Sequence, residues 1–155
     1  MAQGVWVAVA LIPTLLVNQK SQRDLQPDIL WIEYLGWTQW VVGFAVEVVA
    51  DYQKAVFRND EKNQGKFIRT GLWSVSRHPN YFGEILLWFG LYMAAFPSLR
   101  DLEHWSILSP VLNMFIIVGF SGLPPLETYA AKKWGKDPEY QKYKAKTPIL
   151  VPKLW

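Results

Sequence analysis

Cysteine is absent from the 155-residue chain, which excludes a disulfide framework, a thiolate metal site and catalysis by a cysteine nucleophile. No glycine-rich dinucleotide fingerprint follows a predicted strand, so a Rossmann domain is not expected. Charged residues make up only 19% of the chain, and most of them fall in two basic stretches rather than along amphipathic helices. We therefore expect a membrane protein that has neither a metal site nor a nucleic-acid partner.

Four apolar stretches are predicted to cross the membrane as helices: residues 1–17, 29–50, 81–97 and 105–123. The third contains one charged residue, Glu84, and the fourth contains none. The first is short for the roughly 20 helical residues that a bilayer requires. A signal peptide is the alternative there, but no positive charge precedes Val5 and no small-residue cleavage site follows Val17. The sequence thus predicts an all-α, multi-pass helix bundle that forms a single membrane domain.

The basic residues predict the orientation of this bundle. Loop 51–80 contains six Lys and Arg against three acidic residues, and the tail 124–155 contains seven Lys against three. Four crossings place the loop and the tail on the same side, and the positive-inside rule assigns that side to the cytosol. We expect an integral protein of the endoplasmic reticulum in a eukaryote, or of the plasma membrane in a bacterium, with the lipid bilayer as its partner.

The second predicted span continues into the charged loop as one helix. Residues of this stretch recur at helical spacing: Glu33, Trp37, Trp40, Phe44, Glu47, Asp51, Lys54 and Arg58. A solvated helix end with i,i+4 ion pairs is one interpretation of the charged half. An acid within a span is costly, however, and usually faces a partner or a wet cavity. We therefore predict a functional role for Glu47 and Asp51.

A second candidate site is the helix start within the sequence Arg77 to Glu84. Pro79 suits the first helical position, which places His78 near the N-cap. Free backbone N–H groups and the charge of Arg77 would make this end a site for an anion such as phosphate. Asn80 lies on the same helix face as Glu84. The alternative is that Arg77 binds a lipid phosphate and that Glu84 pairs with a lysine.

The tail is predicted to form two short helices after the fourth span. Pro124 and Pro125 are expected to end the fourth span, and the first tail helix is predicted from Glu127 to Trp134, closed by Gly135. The second runs over residues 138–146, with Asp137 as its N-cap. It presents three further candidate site residues: Tyr140, Tyr143 and Lys144. This helix is expected either to cover a ligand or to rest on anionic headgroups.

A family resemblance lies in the run from Glu47 to Gly90, EVVADYQKAVFRND and then GKFIRTGLWSVSRHPNYFGEILLWFG, and in the tail SGLPPLETYAAKKWGKDPEYQKYKAKTPILVP. These segments resemble the C-terminal domain of the steroid 5-alpha-reductase family, closest to its poorly characterised membrane branch. The resemblance implies an NADPH-dependent reductase of an activated carbon–carbon double bond in a lipid, of sterol, isoprenoid or enoyl type. With Lys54 of the charged helix, the expected cofactor-binding residues are Asp51, Arg58, Arg77, His78, Asn80, Tyr81, Glu84, Tyr140, Tyr143 and Lys144.

Within that family, a Tyr and an acid on additional N-terminal spans polarise the substrate carbonyl. This chain begins after that region, so we expect it to contain the cofactor-binding half and assign no catalytic residue. One alternative is an S-adenosylmethionine-dependent methyltransferase of the isoprenylcysteine carboxyl type, which has a similar RHPNY element. Those enzymes usually have two adjacent glutamates after the last span, where this chain has only Glu127. The other alternative is a non-catalytic membrane protein.

Overall fold

The computed structural model describes residues 2–21 and 30–153, and within these ranges the chain is helical and has no strand. Residues 22–29, which contain most of the linker between the first two predicted spans, lie outside the described part. The helices are α1 (Ala2–Ala10), α2 (Ile12–Asn18), α3 (Trp31–Asn59), α4 (Pro79–Ala95), α5 (Leu108–Gly119), α6 (Leu123–Trp134) and α7 (Pro138–Lys146). Short 3₁₀ turns cover Glu61–Asn63, Gly71–Ser74, Phe96–Ser98 and Asp101–Ile107. The predicted all-α class is confirmed.

Local chemistry places several helix ends where the sequence predicts them. Helix α4 begins at Pro79, because proline has no N–H and its fixed φ suits the first helical position. Helix α6 ends next to Gly135 as predicted, but it begins at Leu123 rather than Glu127, because the two prolines fit within its first turn. Helix α7 begins after Asp137, whose side chain accepts a hydrogen bond from the Glu139 backbone N–H at 2.8 Å.

The predicted continuation of the second span into the charged loop is confirmed, because α3 is one helix of 29 residues. The predicted stripe along it is not one inward face, however, since Trp37 and Phe44 are about half exposed. The buried positions are instead small residues spaced seven apart: Gly36, Gly43 and Ala50. Small residues are buried here because they allow close approach of another helix backbone.

One helical stretch among the described residues is long and apolar enough to cross a membrane. It runs over Asp101–Trp134 and includes the predicted fourth span, and its most apolar 18-residue window has a mean hydropathy of 1.8. Only 39% of that window is buried inside the protein. The structure thus supports one candidate span, and the four-span arrangement stays a prediction.

Contacts divide the described residues into two compact units. Unit 1 is drawn from 1–43 and 85–115, and unit 2 from 44–84 and 116–155. The core of unit 1 contains Tyr92, Ala95 and Leu99, with Leu16 and Ile107 packed against it. Unit 2 contains the charged end of α3, the segment 60–78, the start of α4, and helices α6 and α7. All of the residues predicted to bind a cofactor lie in unit 2.

Candidate functional site

The charged end of α3 provides the first side of a cavity in unit 2. The helix lines the cavity with Lys54, with Phe57 about one turn later and with the adjacent Arg58. The Lys54 ammonium lies 5.1 Å from the centre of the Trp73 ring. Burial, and then the neighbouring Arg58 charge, lower the pKa of Lys54 from its ordinary value. This end of the helix therefore holds two cations close together beside an aromatic face.

The segment after Gly71 carries three residues of the cavity wall. Gly71 has a φ of +60°, which a side chain rarely tolerates, and the chain turns there into a 3₁₀ helix. Trp73 is buried, and its indole N–H donates to the Ala50 carbonyl oxygen at 3.0 Å. This bond anchors the segment to α3 and fixes the position from which Arg77 and His78 enter the cavity.

Arg77 and His78 converge on one carboxylate, that of Glu127 on α6. The Arg77 guanidinium pairs with Glu127 Oε2, and His78 Nε2 lies 2.8 Å from Glu127 Oε1. Because a carboxylate only accepts hydrogen bonds, Nε2 carries the proton. Burial lowers the pKa of His78 from its ordinary value, against the opposing effect of Glu127. His78 is therefore neutral at pH 7, and its buried Nδ1 is an acceptor that has no partner within the described part of the chain.

Aromatic rings form the opposite wall of the cavity. The Phe67 ring centre lies 5.1 Å from that of Tyr140, 5.5 Å from that of Tyr143 and 5.9 Å from that of Trp134. Trp134 Nε1 donates to the Gly65 carbonyl oxygen at 2.6 Å, and the Tyr143 hydroxyl donates to the Trp73 carbonyl oxygen at 2.7 Å. Burial raises the pKa of Tyr143, so this hydroxyl stays protonated. The hydrogen bonds of Trp134 and Tyr143 hold these two rings in fixed orientations.

The cavity between these walls has a volume of about 470 Å³, within the range of small-molecule sites. Five of its lining side chains are cationic: Lys54, Arg58, Lys66, Arg77 and Lys133. Glu127 is the single carboxylate among the lining residues, and it is already paired with Arg77 and His78. The Lys133 ammonium lies 4.9 Å from the centre of the Trp134 ring. The cavity is thus strongly cationic and rich in aromatic faces.

The structure brings some of the predicted site residues together and places others outside the cavity. Those that line it are Lys54, Arg58, Arg77, His78, Tyr140 and Tyr143. Asp51 is not among the lining residues, and its carboxylate accepts a hydrogen bond from Asn80 at 3.1 Å. Tyr81 stacks on the His78 ring, Glu84 lies one turn further along α4, and Lys144 is exposed on α7. The start of α4 therefore contributes to the cavity only through the residues that precede Pro79.

Several lining residues were not predicted from the sequence, and they come from the loop and from α6. The main ones are Lys66, Phe67, Tyr129, Lys133 and Trp134. Twice among them a lysine directly precedes an aromatic residue in the sequence, at Lys66-Phe67 and at Lys133-Trp134. This pattern could have identified both segments as candidates. Among the described residues, no group of three or more His, Asp or Glu side chains is placed to hold a metal ion.

The described chain is thus an all-helical protein with one cationic, aromatic cavity in unit 2. Residues 1–147 match the family described as "Protein of unknown function (DUF1295)", and the chain belongs to that family. No solved structure matches the chain.

Two curated relatives resemble part of the chain. A "Probable O-methyltransferase ustE" of Ustilaginoidea virens is 29% identical over 100 residues, which cover 63% of this chain and 32% of that protein. The uncharacterized protein C594.04c of Schizosaccharomyces pombe is 31% identical over 101 residues, which cover 63% of this chain and 27% of that protein. The aligned segment thus spans less than a third of each relative.

Proposed function

We propose that unit 2 binds NADPH and that the chain acts in a membrane-embedded reductase of a carbon–carbon double bond in a lipid. The observation that supports this most strongly is the charge of the cavity, with five cationic side chains and one carboxylate that is already paired. NADPH has a pyrophosphate and a 2′-phosphate, and its adenine and nicotinamide rings can stack on aromatic side chains. A cavity of about 470 Å³ that combines cations with aromatic faces suits such a ligand.

The donor set of the cavity fits the phosphate groups of a nucleotide. Arg58 and Lys133 present exposed charges at the cavity, whereas Arg77 is nearly buried and keeps an unpartnered Nε within the described residues. An anion beside Arg77 Nε would satisfy this buried donor, which is costly to leave unbonded. When bound, NADPH supplies the hydride for reduction. The residues of the chain bind the nucleotide and hold its position.

The outer surface of the helices supports a lipid as the substrate class. Large apolar side chains are exposed on α3 and α5, including Val41, Phe44, Val48 and Phe115. An exposed apolar surface of this kind is typical of contact with lipid. We infer a lipid substrate that reaches the enzyme from within the bilayer.

Transfer of a methyl group from S-adenosylmethionine is the second candidate function. It is favoured by the likeness to the protein named as a probable O-methyltransferase. The charge of the cavity argues against it, because S-adenosylmethionine has a net positive charge, from a sulfonium and an ammonium group against one carboxylate, and has no phosphate. Five cations around the cavity would repel that ligand, and Glu127 is already paired. We therefore place NADPH first.

Binding of both cofactors to the detergent-solubilised chain tests the proposal. We expect NADPH to bind more tightly than NADH, which lacks the 2′-phosphate, and S-adenosylmethionine not to bind. Arg58→Ala and Lys133→Ala should each weaken NADPH binding by roughly tenfold to a hundredfold, since a charge-assisted hydrogen bond contributes about 1.5–3 kcal/mol. Fluorescence titration measures all of these affinities.

Matched controls separate the cavity from general charge effects. Lys132→Ala removes the same charge one residue earlier, and Arg69→Ala removes an exposed arginine that pairs with Glu139. Neither Lys132 nor Arg69 lines the cavity, so both variants should bind NADPH like the wild type. Binding of S-adenosylmethionine alone would support the methyltransferase, and binding of neither cofactor would support a non-catalytic protein.

A further inference from the structure

The C-terminal segment 147–153, called the strap below, runs antiparallel to the segment 74–77. The Arg77 backbone N–H donates to the Pro148 carbonyl oxygen at 2.9 Å, and the Lys153 backbone N–H donates to the Val75 carbonyl oxygen at 3.0 Å. From Pro148 to Lys153, the strap thus passes from Arg77 back to Val75, which is the antiparallel direction. The strap therefore pairs with the residues that lead directly into the cavity.

Ser76 joins the strap to the start of α4. Its side chain is fully buried, and its hydroxyl donates to the Leu150 carbonyl oxygen at 2.7 Å. The Ser76 hydroxyl oxygen in turn accepts a hydrogen bond from the His78 backbone N–H at 3.2 Å. One hydroxyl thus links the strap to the residue whose imidazole lines the cavity. Without it, the buried His78 N–H and the partly buried Leu150 carbonyl oxygen would each lose a partner, which is costly.

The bonds of the strap act on the two cavity residues that lie between Ser76 and Pro79. Arg77 is held through its own backbone N–H, and His78 is held through Ser76. The side chains of both meet Glu127 on the other side of the cavity. The family match ends at residue 147, so the strap atoms that make these bonds lie beyond it.

We propose that the strap and Ser76 position Arg77 and His78 in the cavity, so that docking of the strap and binding of a phosphorylated nucleotide favour each other. Ser76 is a positioning residue, because it contacts the strap and His78 and does not line the cavity. Coupling of this kind is reciprocal: the factor by which the docked strap strengthens binding equals the factor by which the nucleotide stabilises the docked strap. The nucleotide part of the proposal rests on the proposed function, whereas the positioning part does not.

The experiment compares four variants of the full chain in detergent. Ending the chain after Thr147 removes the Pro148, Leu150 and Lys153 bonds, and Ser76→Ala removes the hydroxyl link. The controls are removal of residues 154–155 only, and Ser74→Ala, whose hydroxyl donates to the Gly71 carbonyl oxygen and not to the strap. NMR titration of the histidines measures positioning without any nucleotide. His78→Gln assigns the signals, because the chain has only two histidines.

We expect both strap variants to raise the pKa of His78 toward its ordinary value of 6.5, because release of the strap exposes a ring that burial keeps neutral. Glu127, Arg77 and Lys54 also act on this ring and are unchanged in all variants. NADPH affinity should fall by roughly fivefold or more in the strap variants. In the wild type, NADPH should slow hydrogen exchange in the peptides covering 74–77 and 148–153. The controls should match the wild type in every measurement.

An unchanged His78 titration in the folded strap variants would overturn the positioning proposal, whether or not NADPH binds. If the wild type does not bind NADPH while the titration shifts, the proposed function fails and the positioning proposal stands. If truncation or Ser76→Ala prevents folding, Lys153→Pro and Lys153→Ala test the positioning proposal instead. The proline removes one strap N–H and should shift the His78 titration, whereas the alanine keeps that N–H and should not.

Discussion

At the scale of single residues, Glu127 determines how the cavity is charged. It is the only carboxylate among the lining residues, and its two oxygens bind the Arg77 guanidinium and the His78 ring. The side chains of Arg77 and Glu127 are 11% and 19% exposed, so solvent screens this pair only weakly. Removing one member of such a pair leaves the other charge without compensation. Glu127 should therefore affect stability more than any exposed acid does.

We expect Glu127→Ala to lower the free energy of unfolding by about 3 kcal/mol, because the Arg77 charge would stay buried without its partner. Glu127→Gln should cost less, since the amide oxygen still accepts one hydrogen bond. The matched control is Glu139→Gln, whose carboxylate lies in exposed pairs with Arg69 and Lys142 and should matter little. Equilibrium unfolding followed by circular dichroism measures each variant. Equal losses for Glu127→Ala and Glu139→Gln would contradict this assignment.

At the scale of helices, unit 1 depends on close contact between α3 and α4. A Cβ atom at Gly90 would lie 2.6 Å from the Trp40 backbone nitrogen and 2.8 Å from the Gly36 carbonyl oxygen. A Cβ atom at Gly36 would likewise meet the backbone of Ala94. Each obstacle is backbone and cannot rotate away. The two glycines therefore set the distance between these helices.

Gly90→Ala should destabilise the chain by roughly 1–3 kcal/mol, because the added methyl group forces the two backbones apart. Thermal unfolding in detergent measures the effect. Gly4→Ala is the control, since a Cβ atom there would meet nothing within 4 Å. That substitution within α1 should be neutral or slightly stabilising, because alanine is the better helix former. A Gly90→Ala variant as stable as the wild type would show that the helices do not pack this closely.

At the scale of the whole molecule, charge and apolar surface define how the chain would sit in a bilayer. The loop 51–80 and the tail 124–155 hold most of the Lys and Arg, whereas the exposed large apolar residues concentrate on α1, α3 and α5. The described part of the chain contains one helical stretch that meets the requirements for a span. The predicted topology places the loop and the tail on the cytosolic side and the residues around 98–104 on the other side.

Labelling of single cysteines tests this topology, and the natural absence of cysteine means that the unmodified chain gives no background. Cysteine at Lys62 or Lys136 should react with a membrane-impermeant maleimide only after the cytosolic side is opened. Leu102→Cys should react in intact bacterial cells that express the chain in the plasma membrane, since Leu102 is 79% exposed and lies between the third and fourth predicted spans. Labelling of Lys62→Cys and Leu102→Cys from the same side would contradict four crossings.

Much of the local structure follows from single residues in the sequence. Pro79 and Asp137 begin helices because the constraint acts within one or two residues, as a fixed φ or as a hydrogen bond to a nearby N–H. Lys54 and Arg58 were predicted as one charged face because helical spacing alone brings them together. The sequence also predicted that Arg77 and His78 stand at a helix start, and the structure places both at the cavity.

The tertiary structure alone decided which distant side chains meet. Asp51 and Asn80, both predicted to contact a cofactor, lie 29 positions apart in the sequence, and the structure bonds them to each other. Lys133 was not predicted, because only the packing of α6 against the loop determines which of its faces meets the cavity. The sequence by itself determined the all-helical class, the helix starts at Pro79 and after Asp137, and the basic segments, since these depend on neighbours along the chain. The cavity depends on packing between segments far apart in sequence, which no local pattern specifies.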